Sequence, residues 1–142
     1  MNVCAAGILL KDNKVLLGRR RGDLEFYPDT WDVIGGHCKK KEIPEETLSR
    51  ELKEELGVTP TRFAPIAVLQ EPNPDIHGTY RYYIYLVTGW SGTPGNLSPD
   101  EHSEIAWFSI EEAAKLKLAH PEYPELFKTV EKNVPVLQKG TL

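Results

Sequence analysis

Residues 36–58, which read GHCKKKEIPEETLSRELKEELGV, contain the pattern that decides the fold. From Pro44 to Leu56 a leucine recurs every four residues, and this spacing predicts an amphipathic helix. Pro44 suits the first turn of such a helix, because its missing N–H would have no helical partner there, and Gly57 suits the residue after the end. The sequence therefore predicts one helix over residues 44–56.

Three glutamates share one face of this predicted helix. At about 100° per residue, Glu51, Glu54 and Glu55 fall within an arc of roughly 100°. Like charges at this spacing destabilise a helix by a few tenths of a kcal/mol per pair, so we expect a cation among them. Oxygen ligands favour a hard divalent ion such as Mg²⁺, with Mn²⁺ as a substitute. Arg50 lies four residues before Glu54 and is placed to orient one carboxylate.

Apolar, branched and aromatic runs elsewhere predict strands at residues 3–10, 15–20, 31–34, 62–69, 81–90 and 105–108. The third of these strands is expected to end at Gly35 and Gly36, and residues 70–79 are expected to form a loop. Ser109 and Glu112 resemble a capping box that opens a helix through about residue 116, and a further helix is predicted over 123–133. Strands mixed with helices, including hairpins, predict a layered α/β or α+β domain with a mixed sheet.

Length and charge narrow the classes of function. The chain has 142 residues, which favours a single domain over residues 1–142. Its net charge of -4 provides no general field for nucleic acid or anionic lipid, so neither partner is expected. No apolar stretch reaches the ~20 residues of a membrane-spanning helix. The apolar run at residues 3–10 lacks a basic leader, and Cys4 and Cys38 form no disulfide framework, so we expect a cytoplasmic protein with reduced thiols.

The spacing of the fixed residues changes the interpretation of the glutamate cluster. Taken alone, an acidic helix face is more often a solvated surface. Here, however, Gly36, Glu42 and residues 50–58 match the signature G-x5-E-x7-R-E-U-x-E-E-x-G-U, where U is a bulky apolar residue. Seven identities at fixed offsets arise by chance on the order of 10⁻⁹ per window. The chain therefore resembles the Nudix hydrolase family, and the order of its other segments is similar to that of short MutT-like members.

The resemblance implies an α/β fold, an α/β/α sandwich with a mixed β-sheet, and cleavage of the diphosphate bond of a nucleoside diphosphate derivative. It implies metal binding by Glu54 and Glu55, with the backbone carbonyl of Gly36 as a further ligand. Glu51 matches a residue with either a metal-binding or a catalytic-base role. The expected catalytic residues are Glu51, Glu54 and Arg50. The residues that match structural positions of the motif are Glu42 and Gly57.

Residues outside the motif are less constrained by the resemblance. In MutT-like enzymes a late glutamate completes the metal site or serves as base, and we favour Glu101 for this role. The alternatives are Glu104, Glu122 and Glu125. Arg20 matches a substrate-contacting arginine. Trp31 and the aromatic residues from Tyr80 to Tyr85 are candidates for stacking on a base, although aromatic residues in strands are more often part of the core. The histidines show no metal-ligand spacing, so no histidine ligand is expected.

The chain departs from the family pattern at three places. Ile34 stands where a proline often precedes the two glycines. Lys39 and Lys41 stand where a glutamate and a glycine are common, and Ile43 replaces the usual Ser or Thr helix cap. The missing cap is expected to cost ~1 kcal/mol. None of these departures removes an expected ligand.

We expect a Mg²⁺-dependent nucleoside triphosphate pyrophosphohydrolase that releases a nucleoside monophosphate and pyrophosphate, with oxidised nucleotides such as 8-oxo-dGTP as candidate substrates. An ADP-ribose or nucleotide-sugar pyrophosphatase is the alternative, because Pro74 lies 16 residues beyond Val58, near the place where a proline marks ADP-ribose cleavage in the family. A non-catalytic nucleotide-binding module is a third interpretation, although the motif retains all its glutamates. The expected partner is a small nucleotide, and the chain is expected to be a monomer or a homodimer.

Overall fold

A mixed sheet organises the residues that the computed structural model describes, which are 2–139. In chain order its elements are β1 (Asn2–Lys11), β2 (Lys14–Arg20), β3 (Trp31–Asp32), β4 (Ile34–His37), α1 (Pro44–Leu56), β5 (Thr59–Gln70), α2 (Pro74–His77), β6 (Tyr80–Ser91), β7 (His102–Ser109), α3 (Ile110–Ala114) and α4 (Tyr123–Lys139). The strand order is β3-β2-β1-β6-β5, with β4 also paired to β1 and β7 to β2. The mixed α/β architecture predicted from the sequence is confirmed.

The first strand lies at the centre of the sheet. β1 runs parallel to β6 from the Asn2–Tyr80 pair to the Leu9–Val87 pair. On its other side β1 pairs antiparallel with β4 near its beginning and with β2 near its end. Residues 4–10 are buried without interruption because both faces of this strand are covered, which explains their nearly continuous apolar character.

Helices cover the two faces of the sheet. On one face α1 packs over Ala5 and Leu9 of β1 and over Leu16 of β2. On the other face α3 and α4 pack over Ile8 and Leu10 of β1, together with other strand residues. Successive side chains of a strand point to opposite faces, so odd and even positions of β1 belong to different cores. The result is the three-layer arrangement that the sequence predicts.

The helix predicted over residues 44–56 is confirmed at both ends. Gly57 has a φ of 74° and its N–H bonds to the carbonyls of Leu52 and Lys53, so it ends the helix in the left-handed conformation. Ile43 provides no side-chain cap, as expected. The carboxylate of Glu46 instead accepts the backbone N–H of Ile43 at 3.0 Å, which replaces part of the missing cap.

Three element predictions need correction. The strand expected over residues 31–34 is two short strands, and Gly35 and Gly36 lie inside β4 rather than after a strand. A Cβ on Gly35 would lie 2.1 Å from the carbonyl oxygen of Ala5, so this pairing needs a residue without a side chain. The 70–79 loop contains the four-residue helix α2.

The two helices after β7 also differ in length from their predictions. Ser109 and Glu112 form the predicted capping box, but α3 ends at Ala114 rather than near residue 116. The last helix, α4, continues to Lys139 beyond the predicted end at residue 133. No helix in the described range is long and apolar enough to cross a membrane.

Candidate metal and nucleotide site

Helix α1 presents the glutamates of the motif at three different depths. Its leucines are fully buried in the core, and this anchors the rotation of the helix. The side chain of Glu54 is 54% exposed, that of Glu51 15% and that of Glu55 3%. The acidic face therefore lies partly in solvent, at Glu54, and partly inside the protein, at Glu55.

Arg50 connects four groups of the motif. Its Nε and Nη2 donate to the two oxygens of Glu42 at 2.8 and 2.9 Å, and Nη2 also donates to the carbonyl of His37 at 2.9 Å. Nη1 lies 3.4 Å from Glu51 and 3.3 Å from Glu54. Hydrogen bonds from Arg50 hold the pKa of Glu42 well below its usual range. The arginine thus joins the loop before α1 to the carboxylates on it.

Glu42 holds the loop of Lys39, Lys40 and Lys41 in place. Its Oε1 accepts the backbone N–H of Lys39 at 2.9 Å and the hydroxyl of Thr47 at 2.7 Å, besides the bonds from Arg50. Lys41, where the family often has glycine, adopts a φ of 71°. A side chain in this left-handed region is strained, and the bonds of Glu42 hold the loop in place around it.

Gly36 brings the backbone of β4 against the glutamates. A Cβ at this position would lie 2.1 Å from Oε1 of Glu51. Only glycine leaves the space that this carboxylate occupies. Burial raises the pKa of Glu51, against the opposing charge of Arg50.

Glu55 is the most deeply buried carboxylate of the motif. Its Oε1 lies 2.9 Å from Nε2 of His102, and its Oε2 is buried without a hydrogen-bond partner in the described part of the chain. Burial raises the pKa of Glu55 to about 10, and the neighbouring carboxylate of Glu101 adds to this effect. A cation bound beside this group would favour its charged form.

Glu101 is the late glutamate that the structure places beside the motif. Ligand atoms of Glu55, Glu101 and His102 all lie within 4.8 Å of one another. The other three sequence candidates lie elsewhere: Glu104 is in β7, Glu122 precedes α4, and Glu125 pairs with Lys128. The expectation that a late glutamate joins the cluster therefore has a geometric basis for Glu101.

His102 is the residue that the sequence reasoning missed. The spacing of the histidines predicts that none of them binds a metal, and it assigns His102 no other role in the site. The side chain is nevertheless buried against Glu55, and burial lowers the pKa of His102. A usable sequence signal was its position directly after Glu101. The contact joins residues 47 positions apart, so it depends on how β7 docks against α1.

A cavity of about 480 Å³ opens beside the acidic cluster, and Gly36 and Glu101 contribute to its wall. This volume lies within the range typical of small-molecule sites. Arg20 also lines the cavity; its Nε donates to the carbonyl of Phe26 at 2.8 Å, and its Nη1 lies 3.5 Å from Asp32. Arg20 is therefore placed where a substrate could meet it.

Trp31 does not line this cavity. Its ring packs edge to face on Phe108, with centroids 4.8 Å apart, at the edge of the core beneath α3 and α4. The aromatic side chains that do reach the cavity include Phe26, Tyr80 and Tyr82. The geometry gives Trp31 a packing role instead of the predicted contact with a base.

Glu71 forms a buried polar cluster in the cavity wall. Its carboxylate accepts hydrogen bonds from the hydroxyls of Tyr27 and Tyr82, and from the backbone N–H of Asn73 at 2.9 Å. Burial opposes ionisation, but these three donors together hold the pKa of Glu71 below its ordinary value. The cluster ties the loop after β2 to the loop after β5.

The side chains at the cluster fit a divalent cation. Glu51, Glu55 and Glu101 bring carboxylate oxygens together, and hard ions such as Mg²⁺ prefer oxygen ligands. The buried Oε2 of Glu55 has no partner in the described residues, and a cation would satisfy it. Glu54 offers a further carboxylate at the solvent side, 3.3 Å from Arg50.

A three-layer α/β fold with an arginine-linked glutamate helix beside a cavity is the arrangement that the resemblance to the Nudix hydrolases implies. The chain belongs to the NUDIX domain family, because the sequence model of that family matches residues 1–130. It is therefore a hydrolase that acts on diphosphate bonds in small nucleotide substrates, and the family generally uses a divalent metal.

Similar proteins carry several substrate names. The 8-oxo-dGTP diphosphatase of Escherichia coli (strain K12) is 33% identical over 90 residues, covering 63% of this chain and 68% of that protein. The CTP pyrophosphohydrolase of the same organism is 31% identical over 122 residues, covering 85% of each. The ADP-ribose pyrophosphatase of Methanocaldococcus jannaschii is 28% identical over 118 residues, covering 83% of this chain and 68% of that protein.

Solved structures show the same fold. A MutT NUDIX hydrolase from Burkholderia pseudomallei has a TM-score of 0.81 at 24% identity. The alignment covers 91% of this chain and 97% of that protein's chain. The E. coli ORF135 protein has a TM-score of 0.77 at 26% identity, and the alignment covers 99% of this chain and 95% of that protein's chain. These likenesses confirm the predicted fold.

Proposed function

We propose that this chain is a Mg²⁺-dependent nucleoside triphosphate pyrophosphohydrolase that releases a nucleoside monophosphate and pyrophosphate. Its first candidate substrate is 8-oxo-dGTP, and CTP is the second, because similar proteins carry these two names. Both are nucleoside triphosphates, so the proposal concerns the bond cleaved before it concerns the base. Mn²⁺ is expected to substitute for Mg²⁺ because it takes the same oxygen ligands.

One observation carries the proposal: the acidic cluster and the cavity share a wall. Gly36 lies against Glu51 and also lines the cavity, and Glu101 belongs to both the cavity and the group around Glu55. A nucleoside held in the cavity would therefore direct its phosphates toward the glutamates. Arg20, whose Nη1 lies 3.5 Å from Asp32, presents a guanidinium at the same cavity that would contact the anionic substrate.

The proposed roles follow from position. A divalent ion held by Glu51, Glu54, Glu55, Glu101 and the Gly36 carbonyl would neutralise the diphosphate and lower the pKa of a bound water. Glu51 would serve either as one of these ligands or as the base that accepts the proton of the attacking water, Glu54 would act through the bound ion, and Arg50 would orient both carboxylates. The water oxygen would bond to one of the two phosphorus atoms of the α–β anhydride, the bond from that phosphorus to the bridging oxygen would break, and the nucleoside monophosphate and pyrophosphate would separate.

Cleavage of ADP-ribose is the second candidate function, and the similarity to an ADP-ribose pyrophosphatase favours it. The proline that hinted at this activity has a local structural explanation. Pro74 is the first residue of α2 and is exposed, and a proline suits this position of a helix. Pro72, by contrast, lines the cavity.

A substrate panel tests the proposal. Nucleoside triphosphates, 8-oxo-dGTP and ADP-ribose are each incubated with the enzyme and Mg²⁺, and the products are separated by chromatography. Pyrophosphate and a nucleoside monophosphate are expected. Release of AMP and ribose 5-phosphate as the preferred reaction would favour the second candidate, and hydrolysis of neither class would refute the proposal.

Glu54→Gln tests the site itself. This variant is expected to lower turnover by about 10²–10⁴-fold with an unchanged fold, because Glu54 is exposed and its charge is not needed for folding. Glu45→Gln is the matched control, since Glu45 lies on the exposed first turn of the same helix. Full activity of Glu54→Gln with Mg²⁺ present would show that the site is assigned wrongly.

A further inference from the structure

An irregularity in the sheet turns His102 toward helix α1. The register of β2 against β7 shifts between Arg19 and Arg20, and Arg20 pairs with His102, so that Ser103 is an extra residue in β7. Ile105 packs in the core on the α1 side. In a regular strand Ser103, two residues before Ile105, would share that side. The bulge instead gives His102 this orientation, as bulges near active sites often do.

The surroundings of His102 fix its position. Its backbone N–H donates to the carbonyl of Ser98, and its carbonyl accepts from the side chain of Asn96, both at 2.9 Å. Its ring occupies the space above Gly18, where a Cβ would lie 2.7 Å from Nδ1. His102 as a whole residue is only 4% exposed. Its ring is therefore held in this one orientation.

The two ring nitrogens have different environments. Nε2 lies 2.9 Å from Oε1 of Glu55, whereas Nδ1 is buried without a partner in the described residues. A neutral histidine carries its hydrogen on one nitrogen. An unpaired buried N–H is rarer in proteins than an unpaired acceptor, so the hydrogen belongs on Nε2, where it points at Glu55.

We propose that His102 is the positioning residue for Glu55: its Nε2–H holds Oε1, so that Oε2 is presented to the cation of the active site. The inference rests on the proposed metal-dependent function. In this arrangement each oxygen of Glu55 has one task, and the oxygen without a protein partner is the one left for the metal.

Direct ligation by His102 fits the structure less well. A histidine that binds a metal usually donates its other N–H to a carboxylate, a carbonyl or a water. Nδ1 would have to make that bond, but it faces Gly18 and has no acceptor in the described residues. The acidic cluster thus keeps an all-oxygen ligand set, which suits Mg²⁺.

Two amide variants test the inference. In His102→Gln the amide nitrogen reaches approximately the place of Nε2, whereas in His102→Asn it reaches only that of Nδ1. Mn²⁺ affinity is measured by electron paramagnetic resonance titration without substrate, and thermal melts without metal check that each variant folds. His120→Gln is the control for Mn²⁺ affinity alone: His120 lines the cavity but is not in the group around Glu55, and its two nitrogens both have partners, Gln70 and Glu122.

We expect His102→Asn to weaken Mn²⁺ binding by about 10–100-fold, with His102→Gln within about threefold of the unmodified protein. The control is expected to bind Mn²⁺ normally. Equal affinity of both amide variants would overturn the inference, as would nitrogen coupling to bound Mn²⁺ in a pulsed measurement, since that would make His102 a ligand. If the unmodified protein bound no Mn²⁺, the proposed function itself would fail.

Gly18→Ala provides an independent check. Its Cβ would lie 2.7 Å from Nδ1 of His102 and 2.9 Å from Cδ1 of Ile34. It would therefore displace the ring of His102 and the end of the Ile34 side chain, and Mn²⁺ affinity should fall in the unmodified background. In the His102→Ala background the same change should have little further effect on affinity, because the ring it displaces is gone and the remaining overlap involves only the end of the Ile34 side chain. Additive losses in the double variant would show that Gly18 acts without His102 and would contradict the proposed coupling.

Discussion

Two adjacent glycines in β4 should respond to the same substitution in opposite ways. In Gly35→Ala the new Cβ would lie 2.1 Å from the carbonyl oxygen of Ala5 and 2.4 Å from Cα of Ala6, both backbone atoms of the central strand. In Gly36→Ala the new Cβ would lie 2.1 Å from Oε1 of Glu51, the end of a side chain. The first overlap can be relieved only by moving β1, the second by turning one carboxylate.

The magnitudes follow from what must move. A Cβ contact below 3.0 Å is essentially never observed, so Gly35→Ala must displace β1 by about an ångström. We expect a loss of about 3 kcal/mol or more, the upper end for overpacked cores. At about 3 °C per kcal/mol for a chain of this length, the melting temperature falls by roughly 10 °C. Gly36→Ala is expected to cost about 1 kcal/mol or less, because a side chain can rotate away.

Gly36→Ala, which costs less stability than Gly35→Ala, should have the larger effect on metal binding and turnover. Turning Glu51 away from Gly36 removes one carboxylate from the cluster, so Gly36→Ala should weaken Mn²⁺ binding and lower turnover by about 10–100-fold at a temperature where it remains folded. Thermal melts and metal titrations on the two variants provide the comparison. Melting temperatures within about 2 °C of each other would refute the reasoning, because they would mean that backbone and side-chain overlaps cost the same.

Two further predictions concern the loops. Lys41→Gly should raise the free energy of unfolding by about 0.5–1 kcal/mol, because a φ of 71° strains lysine but not glycine; urea unfolding checks this, and Lys40→Gly, which lacks that φ, should give no gain. Glu71→Gln should destabilise the protein near neutral pH but progressively less in acid. The folded pKa of Glu71 lies below its ordinary 4.5, so its stabilisation exists above that value and is lost as the pH falls through the folded pKa; a stability difference that stays constant from pH 7 to pH 3 would contradict this.

Helix α1 and its chemistry could be predicted from the sequence because they depend on neighbours within one or two turns. A leucine every four residues, a proline at the start and a glycine after the end define the helix and its buried face. The same spacing brings Glu51, Glu54 and Glu55 to one face and puts Arg50 near them. No tertiary contact is needed for either inference.

The inner strands were predictable for a similar reason, but their boundaries were not. Residues covered on both faces are apolar in an unbroken run, as in β1 and β2. Whether Gly35 and Gly36 end a strand or continue one depends on whether another strand can approach them. That approach is made by β1, some 30 residues earlier in the chain, and local propensity carries no information about it.

The partners of Glu55 were decided by the tertiary structure alone. No spacing rule decides among the four late glutamates, although Glu101 is the favoured one, and only the docking of β7 against β2 brings Glu101 to the cluster. The same docking, with its one-residue bulge, turns His102 toward a helix 47 residues away. Helical periodicity determines which groups share a face, whereas strand register and a bulge determine which distant groups meet them, because a slip of one residue sends a side chain to the opposite side of the sheet.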